Sequence, residues 1–170
     1  MKWVRYESDG KTFYGIITGN SVREVYGTPF DAYTESETVH SYENIHLLPP
    51  VIPPTFYAAG VNYETHVREA AALLGREPNI PNKADIGYRA VNAIIGHEDP
   101  IIIPPDATEK VQYEGELVVV IGKEAKHLTE ENALDCVLGY TVGNDVSERS
   151  WQASDRTLWR AKNTDTFKPM

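Results

Sequence analysis

Hydrophobic and polar positions alternate from the first residues of the chain. Trp3-Val4-Arg5-Tyr6, Thr12-Phe13-Tyr14-Gly15-Ile16-Ile17 and Val22-Arg23-Glu24-Val25-Tyr26 read as short strands, separated by the hairpin signals Asp9-Gly10 and Gly19-Asn20. Residues 2–26 are therefore expected to form a β-meander. The periodicity lapses over residues 27–48, which are rich in Thr, Ser, Glu and Tyr. Pro49, Pro50, Pro53 and Pro54 then exclude regular helix and stiffen the path. The pattern places a boundary there, between a small β domain over residues 1–48 and a second segment over residues 49–170.

Thr55 to Gly60 opens the second segment as a short buried strand. Asn62 is the expected N-cap of a helix through about Leu74, and Gly75 ends it. Residues 76–87, with a glycine-proline-asparagine composition and mixed charges, are expected to form a long, mobile lid-like loop. Strand-like pieces follow at Ala93–Ile95 and Pro100–Ile103. Leu117-Val118-Val119-Val120-Ile121 is a continuous, largely β-branched run, expected to be a strand buried on both faces. Thr129 ahead of Glu130 and Glu131 caps a short helix. Val137–Val142 is another apolar strand ending at Gly143-Asn144-Asp145, and Ser147 is placed as the cap of a helix near 148–153. The reading is β-rich with short helices and no internal repeat.

Composition narrows the partners. With 41% hydrophobic and 24% charged residues among 170, the chain can bury a core, and no apolar run approaches the roughly 20 residues of a membrane-crossing helix. Sixteen basic against twenty-five acidic residues give a net charge of -9, unfavourable for nucleic acid or an anionic membrane. An acidic protein can still bind an acidic metabolite where a cation inverts the local field. The amino terminus lacks the apolar core of a secretory signal, so the cytoplasm is the expected compartment. Cys136, alone, permits no internal disulfide and reads as a buried, inert thiol.

The chemistry-bearing residues are few. Glu114 and Glu116, two apart at the entrance to the apolar run, share one face of a strand. They are either two solvated acids at a strand end or a pair that needs a cation between them. Asp145, at the end of the second apolar strand, is either a local acid before a helix or a third ligand. Three hard oxygens suit Mg²⁺ or Mn²⁺ better than zinc. His66 and Glu69 share a helix face, as an ordinary solvated pair or as a general base with its orienting carboxylate. Lys162 is an exposed loop lysine or a cation for developing negative charge. Trp151 and Trp159 read as wall or core aromatics, and the remaining histidines show no ligand spacing.

Taken collinearly, these segments resemble the fumarylacetoacetate hydrolase superfamily, which includes acylpyruvate hydrolases and 2-hydroxyhepta-2,4-diene-1,7-dioate isomerases and decarboxylases. Gly60-Val61-Asn62-Tyr63 through His66 and Glu69 is similar to the catalytic His-Glu segment. Tyr113-Glu114-Gly115-Glu116-Leu117 through Lys123 is similar to the metal-binding strand. Gly139-Tyr140-Thr141 through Asn144-Asp145-Val146-Ser147 resembles the strand carrying the third carboxylate, with Arg149 and Gln152 following, and Lys162 with Asp165-Thr166-Phe167 resembles the active-site lysine segment. Glu148 and Ser150 depart from the more usual Ala and Asp, and Arg89 from a common Lys.

The resemblance implies an α+β, β-rich fold: a small N-terminal β domain followed by part of a mixed β-roll catalytic domain, active as a homodimer. It implies Glu114, Glu116 and Asp145 as ligands of Mg²⁺ or Mn²⁺, His66, Glu69 and Lys162 as catalytic groups, and Tyr63, Arg149 and Gln152 as substrate-binding residues. The implied reaction is hydrolytic cleavage of a carbon-carbon bond in a small 2-oxo acid such as an acylpyruvate, through an enolate that the metal stabilises. Isomerisation or decarboxylation on the same site, and an inactive metal-binding module, are the alternatives. Because family members continue past Phe167-Lys168-Pro169-Met170, the chain is expected to be an incomplete polypeptide, unstable and inactive by itself.

Overall fold

Asp9 and Gly10 both adopt positive φ, 50° and 72°, the geometry that a tight two-residue hairpin requires. The computed structural model describes residues 1–108 and 110–170. They group into two compact units, one formed by residues 1–52 and 92–170, the other by residues 53–91. In the first unit β1 (Trp3–Ser8), β2 (Lys11–Thr18), β3 (Ser21–Gly27), β4 (Tyr33–Ser41) and β5 (His46–Leu48) form one antiparallel sheet in the order β4-β3-β2-β1-β5. The meander is as expected, but it extends through residues 33–48, where the sequence shows no periodicity. The reason is burial: β4 hides only Ser36 fully, so an edge strand forms through its ladder without needing alternating apolar residues. Tyr6 and Val22, both fully buried, join Val4 in the core of this sheet, with Phe13, Ile17, Tyr42, Ile45 and Leu47 packed around them. Each such aliphatic side chain contributes about 1.5–3 kcal/mol.

In the second unit β6 (Phe56–Gly60) pairs antiparallel with β7 (Asp85–Arg89), and α1 (Glu64–Leu73) lies between them in sequence. The helix buries Val67 and Ala71, four apart on one face. Tyr63, not Asn62, stands at the N-cap, and no side chain caps the helix there. Gly75, at φ 61°, ends the turn as expected. Because β7 claims residues 85–89, the expected loop is confined to residues 74–84.

The rest of the first unit comprises β8 (Ile94–Ile95), β9 (Val111–Gln112), β10 (Gly115–Ile121), β11 (Val137–Asn144), β12 (Ser147–Glu148), α2 (Arg149–Ser154), α3 (Trp159–Asn163) and β13 (Lys168–Pro169). β10 pairs antiparallel with β11, β12 antiparallel with β9, and β13 parallel with β8. Residues 100–103 form no strand. Nor is β10 buried on both faces: Val118 and Val120 are half-buried, whereas Leu117, Val119 and Ile121 are exposed, as are Leu138, Tyr140 and Val142 on β11. Continuous apolar character reports affinity for a strand, not which faces are covered. Near Thr129 the chain makes a 3-10 turn over Ala133–Cys136 whose N-cap position is Asn132. Cys136 is buried, as expected, and its thiol donates to the Ala133 carbonyl.

Candidate metal centre

The ladder between β10 and β11 sets Gly115 opposite Asn144 and Glu116 opposite Gly143. Asn144 Oδ1 accepts the Glu114 N–H at 2.9 Å, and the Asp145 N–H donates to the Glu114 carbonyl at 2.9 Å. Two separate sequence segments are thereby brought to one strand end. Gly143 lets the strands close, since a Cβ there would stand 2.8 Å from Val118 Cγ2. Glu114, Glu116 and Asp145 each turn one carboxylate oxygen into a cluster whose members all lie within 4.8 Å of one another.

Cations surround the cluster. Lys162 on α3 is almost fully buried, and its ammonium donates to Glu114 Oε2 at 2.8 Å, Asp145 Oδ2 at 2.8 Å and Ser147 Oγ at 2.7 Å. Arg149, at the start of α2, donates to Glu114 Oε1 at 2.5 Å, to Gln112 Oε1 at 2.8 Å and to Gln152 Oε1 at 2.8 Å. Burial pushes the Glu114 carboxyl up, but the hydrogen bonds and charges of Lys162 and then Arg149 outweigh it and hold it below the usual glutamate range. Lys168 adds a third cation, 2.8 Å from Asp145 Oδ1. Of the two readings of Lys162, an exposed loop lysine or a cation of the site, the first does not hold: Lys162 lies on α3, buried against these carboxylates.

Ser147 does not cap α2. It donates to the Asp145 carbonyl at 2.8 Å and receives Lys162, while the fully buried Glu148 takes the N-cap position and accepts the Trp151 N–H at 2.5 Å. Thr108 donates to the other Glu148 oxygen. Glu148, where the sequence departs from the more usual Ala, thus replaces a small residue with a buried anchor for the helix that carries Arg149 and Gln152. Trp151 is half-buried under the Arg160 guanidinium, 3.9 Å from its ring centroid, while Trp159 is exposed and lines no core. Sequence reading gave Ser147 only the part of a helix cap and gave Lys168 none, because a serine before a helix and a lone lysine carry no signal of a buried site.

Tyr63, His66 and Glu69 belong to the second unit. They stand at the N-cap and on the first turns of α1, and all three are exposed. His66 and Glu69 are three apart, as expected for one helix face.

The donor set of the cluster is all carboxylate oxygen, the chemistry that holds a hard divalent ion. In an octahedral Mg²⁺ shell, oxygens about 2.1 Å from the ion stand about 3 Å apart when adjacent. The three oxygens of the cluster lie within 4.8 Å of one another, near that spacing. The residues therefore fit such an ion.

Comparison with known proteins shows the family and the fold. Residues 55–170 match the family model for the fumarylacetoacetate hydrolase C-terminal domain, and residues 1–50 match an Rv2993c-like N-terminal domain. The chain is 45% identical over 130 residues to a fumarylacetoacetate hydrolase domain-containing protein 2 homolog of Dictyostelium discoideum, covering 75% of this chain and 40% of that protein. It is 38% identical over 146 residues to a mitochondrial oxaloacetate tautomerase of Xenopus laevis, covering 84% and 44%. The solved 5-carboxymethyl-2-hydroxymuconate delta-isomerase of Mycobacterium smegmatis superposes with a TM-score of 0.85 at 33% identity, over 99% of this chain and 64% of that one. The chain thus spans about half the length of the curated relatives it matches. With the family model covering residues 55–170 and the β-rich fold shared with that isomerase, the chain belongs to the fumarylacetoacetate hydrolase family.

Proposed function

We propose that Glu114, Glu116 and Asp145 hold Mg²⁺ or Mn²⁺, and that the site cleaves a carbon-carbon bond in a small 2-oxo acid of the acylpyruvate type by hydrolysis. The observation that carries this reading is the convergence of three carboxylate oxygens from two strand ends within 4.8 Å, ringed by buried cations. When bound, the ion supplies Lewis acidity to the 2-oxo carboxylate head. Arg149 and Gln152, already hydrogen-bonded to each other, orient the carboxylate end of the substrate, and Tyr63 contributes to binding. Lys162 neutralises negative charge as the bond breaks. His66, oriented by Glu69, takes the proton of the attacking water; that assignment rests on their motif. The division into an N-terminal domain over residues 1–48 and a catalytic segment from residue 49 belongs to the same reading, supported by family matches that end at 50 and resume at 55. So do a homodimeric state and the cytoplasm as compartment. Among the described residues no helix is long and apolar enough to cross a membrane.

A second reading is favoured by the names of the relatives: tautomerisation or isomerisation of an oxo acid on the same site. Such a reaction needs proton transfer but no attacking water. The purified protein, loaded with Mn²⁺, is given fumarylpyruvate and, separately, enol-oxaloacetate. Release of pyruvate and fumarate supports the hydrolase. Accelerated enol-to-keto conversion without pyruvate release replaces it with the tautomerase.

A further inference from the structure

Lys168 has no part in the roles assigned above, yet it is among the most buried charged residues of the chain, 2% exposed. Its ammonium lies 2.8 Å from Asp145 Oδ1 and donates to the Val146 and Phe167 carbonyls at 3.1 and 2.8 Å. The backbone is turned to put it there. Thr166, two residues earlier, sits at φ 67°, a left-handed conformation that a β-branched residue adopts only when its surroundings impose it. Thr166 Oγ1 accepts the Ile102 N–H, Phe167 is fully buried, and the Val146 N–H donates to the Phe167 carbonyl at 3.2 Å. The segment bearing Lys168 and the segment bearing Asp145 are stitched to each other.

The two oxygens of Asp145 are consequently divided. Oδ2 faces Lys162, which also holds Glu114, and Oδ1 faces Lys168. Among the described residues the three carboxylates of Glu114, Glu116 and Asp145 are matched by the three cations of Lys162, Lys168 and Arg149. A divalent ion then brings two positive charges with no counter-charge, which a chelating anion would supply.

Resting on the metal reading of the carboxylate triad, we propose that the fixed charge of Lys168 beside Asp145 weakens binding of the bare divalent ion while strengthening binding of a chelating oxo-acid anion to the loaded site. A lysine that only supports the fold would behave differently. Its loss would weaken both ligands together, by loosening the same carboxylate.

The test is calorimetric titration of the purified protein with Mn²⁺ alone, and of the Mn²⁺-saturated protein with oxalate, a dianion offering the two vicinal oxygens of a 2-oxo acid. Lys168→Met removes charge and anchor, and Lys168→Gln removes charge while keeping a donor for the buried carbonyls, so the second variant serves if the first does not fold. Lys168→Arg is the charge-retaining control. The neutral variants are expected to bind Mn²⁺ about tenfold more tightly and oxalate about tenfold more weakly, and Lys168→Arg to move both back toward wild type. In the wild type, saturating oxalate is expected to tighten Mn²⁺ binding, a readout that requires no variant. Unchanged Mn²⁺ affinity in the neutral variants, a parallel fall in both affinities, or no tightening by oxalate overturns the proposal. A wild type that binds Mn²⁺ with an affinity indifferent to Glu116→Gln overturns the triad reading and this inference with it. Mn²⁺ binding that Glu116→Gln abolishes, but Lys168 variants leave unchanged, overturns this inference alone.

Discussion

Asn144 Oδ1 accepts the backbone N–H of Glu114 at 2.9 Å, so a side chain of one strand holds the main chain from which a carboxylate of the other projects. With the Asp145 N–H on the Glu114 carbonyl, it pins the end of the β10–β11 ladder in a single register. A slip there would turn Glu114 and Glu116 to the opposite face. Asn144→Ala is expected to cost about 1 kcal/mol of stability and to weaken Mn²⁺ binding several-fold, as one hydrogen bond and its orientation are lost. A thermal melt and a Mn²⁺ titration check it, and a variant matching wild type in both would show that the ladder alone sets the register.

Glu116→Gln keeps the shape of the side chain and removes one of the three negative charges in the cluster. Affinity for Mg²⁺ or Mn²⁺ should fall sharply while the melting temperature changes little, because the residue is only half-buried. Equal affinity in the two proteins would mean that Glu116 is a solvated strand-end acid.

His66→Ala is expected to lower hydrolytic turnover by about 10²- to 10⁴-fold, the usual contribution of a general base. Mn²⁺ affinity should be unchanged, since His66 is exposed on α1 and the oxygen cluster does not include it. Equal turnover in wild type and variant would remove His66 from the mechanism.

Glu148 makes stability depend on acid. Burial pushes its carboxyl up, but the Thr108 hydroxyl and then the backbone N–H groups at Trp151, Ser150 and Thr108 outweigh that and hold it below the usual glutamate range. A carboxyl that titrates lower in the folded than in the unfolded chain stabilises the fold at neutral pH, and that contribution is lost as pH falls through its folded-state value. Melts of wild type and Glu148→Gln across pH should therefore be furthest apart near neutrality and converge in acid. A gap that is constant with pH would assign the cap to shape alone.

Local pattern determined much of this protein. The period-two alternation and Asp9-Gly10 were enough for the first three strands, because a hairpin is written in residues that touch their sequence neighbours. The spacing of Glu114 and Glu116 fixed their common face for the same reason, and the collinear motifs were enough to recognise the family. Other features depend on residues far apart in the chain. β4 and β5 are strands because β3 and β1 offer ladders to them, not because their own residues alternate. Glu148, not Ser147, caps α2 because Thr108, forty residues away, meets its carboxylate. The apolar run of β10 does not reveal that one of its faces is exposed. The motif around Lys162 marked it as a site residue but not as buried, Lys168 has the sequence context of an ordinary surface lysine, and only the fold makes both of them buried counter-charges of Asp145. Burial of an ion pair is a property of two segments brought together, and neither segment encodes it alone.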